Sequence, residues 1–216
     1  MSESSRYDVA GLVEAQYEPG SNERVLKNRL GITLPVEMDA FEARALQRLT
    51  HEAVGRFGEK HCFTAMDICD LHKAWMGEIY AWAGCYRQVN ISKGEFPFAP
   101  AAQVPVLMAQ YERESLLRYT PCNFTDRRAV VSAIAETHVE LVLVHPFRDG
   151  NGRIARLLSI LMALQARLPL LNFSAITGDK KNAYFAAVQA GLDKNYLPME
   201  TLFSGIIQQS LAASAQ

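Results

Sequence analysis

The sequence predicts an all-α protein, a helical bundle carrying one small β-hairpin, and three observations lead there. Apolar residues recur at three- and four-residue spacing over most of the chain. The stretch Ile154, Leu157, Leu158, Ile160, Leu161, Met162 and Leu164 is apolar around most of its circumference, as a helix surrounded by other helices must be. One region only, 86–99, breaks the helical period with β-prone residues.

Taken in order, the chain up to about Pro35 mixes polar residues with the turn formers Pro19, Gly20 and Gly31. Ser21 and Asn22 are placed to cap a short basic segment, so an extended arm ending in one short helix is expected. A first long helix is predicted over 37–57, with Met38, Phe41, Ala45, Leu49 and Val54 on its apolar face and Gly58 closing it. A second begins at Thr64 or Asp67 as cap, carries Ile68, Leu71, Trp75, Ile79 and Trp82 on one face, and stops at Gly84. The hairpin follows, with strands over 86–91 and 95–99 separated by Ser92, Lys93 and Gly94. Helical spacing then returns over 101–119, 127–144, 154–167, 180–192 and 197–211.

A chain of 216 residues, 49% hydrophobic and 21% charged, is long enough for one sizeable core, and no internal repeat or low-complexity stretch marks a second domain. A net charge of -1 and a pI near 6.5 exclude a global attraction for nucleic acid or anionic membrane, so phosphate chemistry must rest on a local site. Cys62, Cys69, Cys85 and Cys122 form no CxxC pair and no zinc spacing, and read as reduced packing residues. The N-terminus MSESSRYDVAG has neither a basic start nor an apolar stretch, and no apolar run approaches the roughly 20 residues of a membrane helix. The expected compartment is the cytoplasm, with no direct nucleic-acid or membrane partner.

The chemistry concentrates in 145–156, His-Pro-Phe-Arg-Asp-Gly-Asn-Gly-Arg-Ile-Ala-Arg, between two predicted helices. Gly150 and Gly152 flanking Asn151 give a backbone free to adopt positive φ and to approach a ligand closely. The N–H groups at the positive end of the next helix then favour an anion. Arg153 and Arg156, one turn apart, reach the same side of the loop and are suited to separate phosphate oxygens. Asp149, a carboxylate among these cations, is most simply explained by Mg²⁺, which binds few protein ligands and several phosphate oxygens. His145 is placed to take a proton from an incoming nucleophile, and Phe147 to turn inward and pin the loop. Each feature alone is commonplace on a protein surface; their coincidence within twelve residues points to phosphoryl or nucleotidyl transfer. His138, seven residues before His145 on the same helix face, reads as a satisfied core histidine in preference to half of a metal pair. His51, His61 and His72 have no companions that suggest chemistry.

This stretch resembles the Fic signature HxFx(D/E)GNGRxxR, matched at His145, Phe147, Asp149, Gly150, Asn151, Gly152, Arg153 and Arg156, and the resemblance runs from about Tyr17 to Phe203. It implies a Fic domain over 36–211, with an N-terminal arm over 1–35 and a tail over 212–216. It further implies transfer of AMP from ATP to a Tyr, Thr or Ser hydroxyl of a target protein. By that resemblance His145 is the base and Asp149 holds Mg²⁺. Gly150, Asn151 and Gly152 form the anion hole, and Arg153 and Arg156 grip the β- and γ-phosphates. The hairpin residues Ser92, Lys93, Gly94, Glu95 and Phe96 resemble the family's flap, which registers the target segment by strand-like pairing.

Many Fic proteins carry a self-inhibitory (S/T)xxxE(G/N) helix, yet no Glu here is followed by Gly or Asn, and the nearest approach, Thr33 to Glu37, ends in Met38. The arm and the segment 22–31 resemble bacterial toxins restrained by a separate small antitoxin, a subgroup whose targets make DNA gyrase or topoisomerase IV the first candidate substrates. The competing readings are a Fic-fold transferase of phosphate, phosphocholine or UMP, and a non-catalytic ATP-binding regulator. The intact Gly150-Asn151-Gly152-Arg153 core weighs against phosphate transfer, and the intact His145 against a sensor. A nucleic-acid-binding repressor would need a basic reading helix, and none stands out.

Overall fold

The computed structural model describes residues 11–174 and 176–215. The first ten residues of the expected arm and the last residue of the tail lie outside them. The chain forms α1 (Pro35–Arg56), α2 (Ala65–Met76), a hairpin of β1 (Ser92–Lys93) and β2 (Phe96–Pro97), α3 (Val104–Tyr111), α4 (Leu117–Tyr119), α5 (Arg127–Val144), α6 (Asn151–Gln165), α7 (Asp179–Ala190) and α8 (Leu197–Ser214). Helices α5 and α6, joined by 145–150, form the centre. Helices α1 and α2 pair and pack on α6, while α3, α7 and α8 pack on α5. The predicted all-round burial of α6 holds: Ile154, Leu157, Leu158, Leu161 and Met162 are all buried.

Local chemistry sets the boundaries. Pro35 enters α1 at its first turn, where its missing N–H costs nothing. Its buried stripe is Met38, Glu42, Ala45, Leu49 and Ala53, so a carboxylate occupies a core position while the expected Val54 is exposed. Thr64 and Asp67 are joint caps of α2: the Thr64 side chain accepts from the Asp67 N–H and Asp67 accepts from the Thr64 N–H, a full capping box. Asp126 caps α5 by accepting from the N–H groups of Arg128 and Ala129.

Four expectations are corrected. Residues 22–31 form no helix, because Asn22 and Glu23 take positive φ (53° and 58°) and the arm closes instead on a Tyr17–Leu26 bridge. The second helix ends at Met76, not Gly84: Ile79 and Tyr80 fold back in turns onto the Met76 carbonyl, so Ile79 and Trp82 are buried without being helical. In the hairpin, Ser92 pairs with Pro97 and Lys93 with Phe96, which puts the turn at Gly94 and Glu95. Gly94, at φ +59°, supplies the positive φ that a two-residue turn requires, so the turn falls one step later than expected. Cys62 and Cys85 are exposed, so only Cys69 and Cys122 pack against the core. Within the described residues no helix is long and apolar enough to cross a membrane.

Candidate active site

Helix α5 ends on His145, which adopts the left-handed conformation (φ 51°, ψ 58°) while its N–H still bonds the Leu141 carbonyl. For a residue with a side chain this costs about 1 kcal/mol, and several contacts over-determine it. Arg87, 1% exposed, donates through Nε to the His145 carbonyl at 2.6 Å, through Nη1 to the Val89 carbonyl at 2.9 Å and through Nη2 to the Ala99 carbonyl. Its own N–H bonds the Pro146 carbonyl at 2.9 Å. One buried guanidinium thus ties the histidine to both stems of the hairpin. Phe98 stacks on the imidazole with centroids 3.5 Å apart.

The ring's Nδ1 lies 3.0 Å from the Val142 carbonyl, an acceptor, so Nδ1 carries the proton and Nε2 keeps its lone pair. Burial, with smaller contributions from Arg87 and Lys93, holds the pKa down to about 4 against the bonding to Val142. Near neutral pH, His145 is an uncharged acceptor.

The loop beyond it rests on aromatic rings. Asn151 accepts from the Phe147 N–H and donates to the Phe147 carbonyl, both at 2.8 Å, so its carboxamide closes the loop on itself and its backbone N–H is what remains for an anion. Phe147, fully buried as expected, stacks on His72 at 3.8 Å. Gly84 donates its N–H to His72 Nδ1 at 2.9 Å, which makes Nε2 the protonated nitrogen that donates to the Asp149 carbonyl at 3.1 Å. His72 was expected to have no relevant companion; it lies directly beneath the loop, and its i+10 and i+12 neighbours Trp82 and Gly84 fold back against it. Gly150 takes φ +81°, and a Cβ there would come within 2.6 Å of the Trp75 ring.

The charged groups are not equivalent. Asp149 Oδ1 accepts the Gly150 N–H at 2.6 Å, while Oδ2 lies 3.4 Å from Arg153. Arg153 also meets Glu42 Oε2 at 2.5 Å and lies over the Trp75 ring at 4.6 Å. Arg156 makes no hydrogen bond or ion pair among the described residues, and burial lowers its pKa. The two arginines, expected to act alike on phosphates, therefore start from different states. His138 is fully satisfied in the core: the Ser159 hydroxyl donates to the Ala155 carbonyl, so Nδ1 donates to Ser159 at 3.0 Å and Nε2 accepts from the Tyr184 hydroxyl at 2.8 Å. This pins α7 to the core.

His145 and the signature loop open onto one cavity of about 1110 Å³, and Glu42, His72, Arg87 and His138 support the loop from outside its wall. The predicted residues His145, Asp149, Gly150, Asn151, Gly152, Arg153 and Arg156 line it, as do Ser92, Lys93 and Phe96 of the hairpin. Gly94 and Glu95, at the hairpin tip, are not in its wall. Lys93 Nζ sits 3.7 Å from the centre of the Phe185 ring, so the hairpin meets α7 across the mouth. Sequence reading missed Arg87, Glu42 and the α7 residues Lys181, Tyr184 and Phe185. Only Glu42 left a signal, as a carboxylate spaced into an apolar helical stripe.

A neutral base, first-turn N–H groups of α6 and a cation share this space, which suits attack on a phosphate ester. Among the described residues no cluster of three or more His, Cys, Asp or Glu side chains stands ready for a metal. The half-exposed carboxylate of Asp149 is instead the hard oxygen donor that suits Mg²⁺ shared with phosphates.

Comparison with known proteins agrees with this architecture. A profile of the Fic/DOC family matches residues 62–163. The Escherichia coli K12 protein named "Probable protein adenylyltransferase Fic" is 28% identical over 195 residues, covering 86% of this chain and 89% of that protein. The protein of the same name from Salmonella typhimurium is 31% identical over 157 residues, covering 68% of this chain and 71% of that protein. In fold, the chain is similar to the crystal structure of BepC, a VirB-translocated effector of Bartonella tribocorum with bound AMPPNP. The TM-score is 0.70 at 22% identity, over 91% of this chain and 97% of that one. By fold, signature and kinship, the chain belongs to the Fic/DOC family.

Proposed function

We propose that this chain is a protein adenylyltransferase, transferring AMP from ATP to a Tyr, Thr or Ser hydroxyl of a target protein. The observation that carries the reading is His145: neutral, stacked on Phe98, with its free Nε2 in the same cavity as the first turn of α6 and Arg156. In the proposed step the target hydroxyl oxygen attacks the α-phosphorus, its proton passes to His145 Nε2, and the bond to the β-phosphate oxygen breaks with pyrophosphate leaving. The N–H groups of Asn151 and Gly152 receive phosphate oxygens, and Arg156 holds the distal phosphates so that the leaving group lies in line. Asp149 would hold Mg²⁺, which neutralises charge developing on the phosphate oxygens.

The hairpin edge at Ser92 and Lys93 is the proposed docking strand for the target, with Gly94, Glu95 and Phe96 as its tip and return. A small antitoxin is the proposed restraint. A glutamate supplied by it would find Arg156 without an ion pair among the described residues. A DNA gyrase or topoisomerase IV subunit is the proposed target.

The test incubates the protein and a His145→Ala variant with α-labelled or γ-labelled ATP, Mg²⁺ and cell extract. His145-dependent labelling of a protein band from the α position only is expected. Label from the γ position only would replace this reading with phosphate transfer, and no label from either would remove nucleotidyl transfer from ATP.

A further inference from the structure

Glu42 lies on α1, outside the residues matched by the family profile, yet it is 3% exposed and reaches the signature loop. Its Oε1 accepts from the Tyr80 hydroxyl at 2.7 Å, its Oε2 meets Arg153 Nη1 at 2.5 Å, and its backbone carbonyl accepts from Trp75 Nε1 at 2.9 Å. Trp75 in turn presents its ring to the Arg153 guanidinium and forms the wall against Gly150. Arg153 is thereby held on one face by an aromatic ring and at Nη1 by a buried carboxylate, with Asp149 3.4 Å from Nη2. A buried ion pair is weak evidence for stability, because desolvation offsets the attraction; its better-attested use is to fix one arrangement among several.

We propose that Glu42 is a positioning residue for nucleotide transfer: it holds Arg153 in a single orientation beside Asp149 and keeps it from gripping the phosphates out of register. This rests on the adenylyl-transfer reading. Arg153 stands in the cavity wall with 29% of its side chain exposed, close to where the first turn of α6 would receive phosphate. Released from Glu42, its long side chain gains rotamers and can meet phosphate oxygens in orientations that do not place the α-phosphorus in line. Binding then survives or tightens while turnover falls. Arg156, with no such partner among the described residues, is left as the arginine available to the distal phosphates.

The test compares Glu42→Gln, Arg153→Ala and the double variant, using equilibrium binding of AMPPNP with Mg²⁺ and the rate of α-label transfer from saturating ATP to the bands that the wild-type chain labels. Glu42→Gln is expected to lower the saturated rate about 10-fold while AMPPNP affinity stays within about 2-fold or rises. In the Arg153→Ala background, Glu42→Gln is expected to change the rate no further, because its target is gone. A merely structural glutamate would lower binding and rate together, or add its loss to that of Arg153→Ala; either result, or an unchanged rate, overturns the proposal. Tyr80→Phe frees one oxygen of Glu42 without removing its charge, and keeps the test open if Glu42→Gln fails to fold. It is expected to give a smaller fall in rate, and no fall overturns the proposal. If the wild-type chain transfers no α-label, the functional reading itself fails and Glu42's role falls with it.

Discussion

At the scale of single residues, the site depends on two backbone positions in the left-handed region, His145 and Gly150. Gly150 combines φ +81° with a Trp75 ring that leaves no room for a Cβ. Gly150→Ala is therefore expected to cost about 3 kcal/mol, from left-handed strain and the displaced indole together, read as a lower urea midpoint at unchanged slope. His145 makes a second prediction, whose sign follows from burial. Its pKa is lowered to about 4, so the unprotonated base persists below the usual histidine range and is lost only as pH falls through about 4. The transfer rate per folded molecule should show no acid-limb inflection near pH 6.5; an inflection there would mean an imidazole far more hydrated than this one. The signature residues were legible because their chemistry is contiguous in the chain. Glu42, His72 and Arg87 were not, because what assigns them is contact with residues 58 to 111 positions away.

At the scale of elements, legibility followed how locally each signal acts. The start of α2 was readable because a capping box is written within four residues. Its end was not: Ile79 and Trp82 keep the apolar spacing of a continuing helix, yet the chain turns at Gly77 so that Tyr80 reaches Glu42 and Ile79 receives a hydrogen bond from Arg29. The central helix was readable because burial on every side needs apolar residues on every side. The hairpin's presence was evident, but its turn was set by which residues flank the positive φ of Gly94. Thr64 carries the prediction at this scale. Its side chain accepts the Asp67 N–H, so Thr64→Ala should lower stability by about 1 kcal/mol, the usual worth of such a cap. The change should appear in the denaturant midpoint with the helical circular dichroism of the native state retained; a midpoint unchanged within error would mean that the box contributes nothing to α2.

At the scale of the whole molecule, the three histidines in and behind the site act together. Burial lowers the pKa of His72 to about 4, of His138 to about 3 and of His145 to about 4. Two of them accept hydrogen bonds that only a neutral ring can accept, His72 from Gly84 and His138 from Tyr184, while His145 is kept neutral by burial, against its Nδ1 bond to Val142. The unfolded chain protonates them near pH 6.5 and the folded chain does not. Between about pH 6.5 and 4 the unfolded state therefore binds more protons, so stability rises with pH in that window and falls as pH drops through it. Each histidine adds a slope of up to about 1.4 kcal/mol per pH unit, and the three together up to about 4. Above about pH 6.5 this contribution is complete and flat; below about 4 the folded state begins to take up the same protons and the slope eases. Urea unfolding at a series of pH values measures it directly. His138→Gln, which removes one titrating ring buried between Ser159 and Tyr184, should make the slope shallower by up to about 1.4 kcal/mol per pH unit whatever it does to absolute stability. A variant slope equal to that of the wild-type chain would show that His138 is protonated in the folded protein, and the bond from Tyr184 would then have to be assigned the other way round.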